Sequence, residues 1–134
     1  MIYLKDATKE ISDIIEKYMP ELKRKYRQVD YSNSDEGLSL TCTSDNRDSI
    51  KLQVKPDDSR RIIDIPQSNR EYQKQGGHKA LFKQFDRHNP DAWKIELKMT
   101  FSGSTSEIAF SGSENNWNAS DFEKNFVDNF SRFL

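Results

Sequence analysis

Glu96-Leu97-Lys98, with Pro56-Asp57 upstream, carries the residue types and spacing best suited to a reaction. An Asp and a strand Glu can hold Mg²⁺ while a Lys steadies the attacking water, which is the chemistry of a metal-dependent nuclease using Asp57, Glu96 and Lys98. The same residues also describe a solvated strand face, because Lys94, Glu96 and Lys98 alternate in charge and Pro56-Asp57-Asp58 is ordinary turn chemistry. We take the second reading, since short motifs recur by chance. His78 and His88 are the two histidines, ten residues apart, whereas ligands sharing a helical face stand three or four apart. Gly76-Gly77 leads into His and Lys, not the Gly-Lys-Ser/Thr of a phosphate loop. Neither a metal site nor a cofactor is therefore expected, and the chain is not read as an enzyme.

The other candidates are groups that bind without reacting. Lys51 and Lys55 on one strand, and Lys94, Glu96 and Lys98 on another, fall in the outward phase of an expected sheet and offer a charged face to a macromolecule. That phase lacks the aromatic rings that stack bases, so nucleic acid is the less favoured partner. Trp117, flanked by Asn115, Asn116 and Asn118, is either an anchor for a partner or a cap on the core.

The element that must position most of these residues is the segment 93–101, in which Trp93, Ile95, Leu97, Met99 and Phe101 alternate with polar residues. Period two predicts a strand with one dry face. Residues 102–106 are small and flexible, which predicts a longer hairpin loop before a return strand ending near Phe110. This hairpin is expected in the middle of an antiparallel sheet. Upstream, 27–31, then Leu38, Leu40 and Cys42, then Ile50, Leu52 and Val54 predict three more strands separated by turn-rich segments. Ile62, Ile63 and Ile65 form a fourth short candidate ending at Pro66.

Three amphipathic segments complete the pattern. From about Thr8, the residues Ile11, Ile14, Ile15, Tyr18 and Leu22 recur at helical spacing, with a kink or restart expected at Pro20. Leu81, Phe82 and Phe85 predict a second helix from near Gly77 to just before Pro90. Ser120-Asp121-Phe122-Glu123 resembles a capping box opening a third, in which Phe122, Phe126, Phe130 and Phe133 form an aromatic stripe. The expected fold is α+β, an antiparallel sheet of five to six strands with helices on one face, in the order α-β-β-β-(β)-α-β-β-α.

Composition bounds the rest. A chain of 134 residues has room for a single domain, 1–134. Net charge is −1, but residues 60–98 carry nine Lys/Arg against five Asp/Glu while 99–134 carry two against five. The balance hides a basic middle and an acidic end. One cysteine excludes an internal disulfide, and Cys42 lies in the apolar strand phase, where a buried thiol is expected. Without a basic leader plus apolar run, or about 20 apolar residues in succession, the expectation is a cytoplasmic protein that does not enter a membrane.

Three segments together resemble the bacterial immunity proteins of the YezG type. They are a first helix running into Met19-Pro20-Glu21, then Asp64-Ile65-Pro66 after the strands, then Leu81-Phe82 through Asn89 to Trp93 and the hairpin to Phe110. The similarity spans residues 8–112, and the Phe-rich last helix departs from it. The resemblance implies a small protein that binds and neutralises a cognate toxin, often a nuclease, without catalysis. A secretion chaperone is the alternative binding class, but it needs exposed apolar grooves that this lean composition hardly supplies.

Overall fold

The apolar alternation seen in the sequence becomes the inner face of a sheet. A computed structural model of the chain describes residues 1–59, 61–63 and 86–131. Strands β1 (Gln28–Ser34), β2 (Gly37–Thr43) and β3 (Ser49–Pro56) form a meander. β4 (Arg61–Ile63) and β5 (Asp86–His88) pair apart from it as a two-stranded ribbon. β6 (Trp93–Phe101) lies against β3, and β7 (Ser104–Ile108) closes the five-stranded sheet in the order β1-β2-β3-β6-β7, every pairing antiparallel. The predicted α+β class holds. The middle of the sheet is β3, however, and the hairpin β6–β7 forms one flank of it.

Helices α1 (Leu4–Lys25) and α2 (Ala119–Phe130) supply the other half of the core. Ala7, Ile11, Ile15 and Leu22 from α1, with Phe122, Phe126 and Phe130 from α2, pack on Leu40, Ile50, Leu52, Trp93 and Leu97 of the sheet. The three phenylalanines stack in succession, with centroids 6.0 and 4.5 Å apart. Polar bonds fasten the layers. The Tyr18 hydroxyl (2.9 Å) and the Lys17 ammonium (2.6 Å) both donate to Glu123 Oε1, the Tyr26 hydroxyl donates to the Phe130 carbonyl, and Trp93 Nε1–H donates to the Ile2 carbonyl at 3.0 Å. Among the described residues no helix is long and apolar enough to cross a membrane.

Several local expectations are corrected. The β6–β7 connection is a two-residue turn, because Ser102 (φ 50°) and Gly103 (φ 84°) both take the left-handed conformation that matches strand twist. Phe101 therefore faces Ser104, and Thr105 and Ser106 are strand. Asp48 stabilises this strained serine by accepting the Ser102 N–H at 3.0 Å. α1 starts at Leu4 and runs through Pro20 without a break. Pro20 and the carbonyl-bearing Glu16 one turn before it are exposed, so water can satisfy the carbonyl that the proline leaves without a donor.

At α2 the cap is Asn118, whose side chain accepts the Asp121 N–H at 3.0 Å; Ser120 does not serve, and Glu123 is drawn to α1 instead. Residues 86–88 of the predicted second helix are strand β5, and the remainder of that helix lies outside the described residues, as do Ile65, Pro66 and Phe133. Phe101, expected on the dry face, is 65% exposed because β6 runs past the cover of the helices.

After β7 the chain returns to β6 at the Lys94–Ser113 bridge, and Gly112 passes directly over Ile95 and Trp93. A Cβ there would collide with the Ile95 side chain. Gly112→Ala should therefore lose about 1–2 kcal/mol by overpacking, whereas Phe126→Ala should lose about 3–5 kcal/mol by opening a cavity. Urea unfolding of the two variants checks the order; equal losses would contradict the packing described.

Candidate functional site

Both helices occupy one side of the five-stranded sheet, and period two sends every second residue of β2, β3 and β6 to the other side. The β3–β6 register then places Lys51 opposite Lys98, Gln53 opposite Glu96, and Lys55 opposite Lys94. Five of the six predicted contact residues, Lys51, Lys55, Lys94, Glu96 and Lys98, thus form one cluster. Four cations frame one carboxylate.

Glu96 is the least exposed member, its side chain 13% accessible against 38% for Lys55 and Lys94 and 48% for Lys98. Its Oε2 is 2.9 Å from Lys55 Nζ and 4.0 Å from Lys98 Nζ, and its Oε1 is 3.2 Å from Lys94 Nζ. The carboxylate therefore leans toward the Lys55–Lys94 pair. The Lys55 ammonium, followed by that of Lys94, holds the Glu96 carboxyl below its usual range, against burial, which pushes it up. Glu96 in turn raises Lys94.

The nuclease constellation is drawn differently. Asp57 follows β3, and its N–H donates to the Ala92 carbonyl at 2.9 Å, while its Oδ1 accepts the Ser59 N–H at 3.1 Å and the Ser59 hydroxyl at 2.6 Å. It lies four residues beyond Gln53, the partner of Glu96, or about 13 Å along an extended strand. Between the two carboxylates is Lys94, whose ammonium both of them favour. Among the described residues, no group of three His, Cys, Asp or Glu side chains is placed to hold a metal ion.

Trp117 lies away from the cluster, on the helix side. Its indole N–H donates to Glu10 Oε2 at 2.7 Å, and its ring meets Trp93 edge-on (5.9 Å between centroids) and Phe122 at 5.5 Å. It caps the core at the start of α2. Cys42 is fully buried, and burial pushes its thiol up to about 12, so it stays protonated at neutral pH. His78 lies outside the described residues.

Gln53, like the lysines, falls in the outward phase of its strand in the sequence, but what it and two further participants face is not visible there. Gln53 stands uncharged opposite Glu96, Glu107 stands in register with Lys98 on β7, and Asp48 is a buried clamp on the hairpin turn. Only strand pairing reveals them, because each is far in sequence from what it faces.

The depressed Glu96 carboxyl makes stability pH-dependent. Its stabilisation is fully present above the unfolded value near 4.5 and is lost as pH falls through the lower folded value. Glu96→Gln should lower stability by up to about 1 kcal/mol at pH 7, the scale of a partly exposed ion pair. It should also flatten the wild-type decline below pH 4.5; melting curves from pH 7 to 3 measure both, and parallel declines would deny Glu96 this role. Compared with known proteins, the chain matches no family model, no curated protein and no solved structure.

Proposed function

We propose that this chain is a binding protein whose lysine-bearing sheet face captures a protein partner, and that the partner is a toxin neutralised by occupancy, without catalysis. The observation that carries the binding reading is the lysine-framed Glu96 held in register on the sheet side opposite both helices. Five strands of about 4.8 Å spacing and about 24 Å length give a face on the order of 600 Å² before side-chain relief is counted. A standard interface buries about 800 Å² per partner, so one such face with its rim is enough. Charges fixed by a rigid sheet also speed encounter and reject partners of the wrong sign.

The toxin part of the proposal is supported by the resemblance of the first helix with Met19-Pro20-Glu21 and of the Trp93-led hairpin to immunity proteins of the YezG type. The other segments of that resemblance, Asp64-Ile65-Pro66 and Leu81-Phe82, lie outside the described residues.

The test is co-expression with the product of a neighbouring gene for a large secreted toxin. A one-to-one complex that protects cells is expected, with affinity reduced about tenfold or more when Lys55 and Lys94 are both changed to Glu. Toxin that stays free and active in the presence of the folded chain would overturn the reading. So would Mg²⁺-dependent DNA cleavage by the chain itself that disappears in Glu96→Ala.

A further inference from the structure

Glu96 neutralises its frame unevenly. It contacts Lys55 and Lys94 closely, but Lys98 only at 4.0 Å, and Lys51 makes no ion pair among the described residues. Lys51 and Lys98 are nevertheless direct cross-strand neighbours, a position in which like charges repel. Their other neighbours in register are Thr41 and Glu107, and Glu107 forms no ion pair with Lys98. One lysine pair of the face is closed by an internal carboxylate, and the other is open.

We propose that the Lys51–Lys98 pair is a carboxylate subsite, and that the partner taken by this face is a protein presenting an acidic cluster to it. This rests on the binding reading above and names its chemistry. The closed pair shows what the open one accepts: Glu96 is at ion-pair distance from both Lys55 and Lys94, and a partner Asp or Glu entering between Lys51 and Lys98 reproduces that arrangement four residues along each strand. The same layout disfavours a nucleic acid. Phosphates follow one another along a strand without interruption, and here Glu96 and Glu107 interrupt the positive row. The surrounding outward positions, Ser39, Thr41, Gln53 and Thr100, provide no ring on which to stack a base.

The experiment titrates the full chain with a short poly-glutamate peptide and, separately, with a DNA duplex of matched charge, following backbone amide shifts at low and at physiological salt. The expected result is peptide binding that weakens with salt and perturbs residues around Lys51 and Lys98. Lys51→Glu should weaken it about tenfold, because the new carboxylate fills the subsite from within, and Lys51→Gln should weaken it less. Lys51→Glu replaces a repelling pair with an attracting one, so its melting temperature should not fall. Peptide affinity unchanged in Lys51→Glu, or no peptide binding at low salt, overturns the subsite. Tighter binding of the duplex at the same lysines overturns the acidic-protein assignment. The toxin complex answers separately: a complex indifferent to Lys51→Glu sinks the subsite and leaves the binding protein standing.

Discussion

The antiparallel pairing of β3 with β6 is the constraint from which the rest of the molecule follows. It joins the meander of the first half to the hairpin of the second, across the whole interval between Pro56 and Trp93. Because side chains alternate, the register that places Leu52 beside Leu97 and Val54 beside Ile95 on the dry side places Lys51 beside Lys98 and Lys55 beside Lys94 on the wet side. A slip by one residue would carry lysines into the aromatic stripe of α2. Burial thus determines the register, and the register assembles the charged face.

That ordering explains a feature that stability alone would not favour. Directly opposed lysines are unfavourable by a few tenths of a kcal/mol or more, whereas each buried Phe or Leu across the same strands is worth roughly 2 kcal/mol. The core wins the competition, and the face can carry two such lysine pairs with one Glu between them. Gln53, uncharged opposite Glu96, leaves that carboxylate free to lean toward Lys55 and Lys94 without a second acid across the strands.

Much of this was legible in the sequence where a local pattern decides the outcome. Leu38-Leu40-Cys42, Ile50-Leu52-Val54 and Trp93-Ile95-Leu97 each declare a strand and its dry face, and Phe122, Phe126 and Phe130 declare the stripe of α2. What was not legible depended on partners distant in the chain. Ser102 takes a left-handed turn with Asp48 behind it, Asn118 caps α2 because Glu123 is engaged by Lys17 and Tyr18, and Pro20 is tolerated on the wet side of α1. The candidate site divides in the same way. Each lysine could be assigned to a face from alternation alone, but not to the lysine it confronts, and nothing near Trp117 announced Glu10 as the acceptor of its indole proton.

The aromatic stripe of α2 belongs to the last described element, yet it packs on strands that begin nearly a hundred residues earlier. During synthesis the meander therefore leaves the ribosome before α2, which covers it among the described residues. Until Phe122, Phe126 and Phe130 emerge, Leu40, Ile50 and Leu52 lack the aromatic part of the cover that the described residues give them. From the end of β3 to the arrival of α2, that apolar side waits for its phenylalanine stripe, a window in which transiently exposed surface favours aggregation.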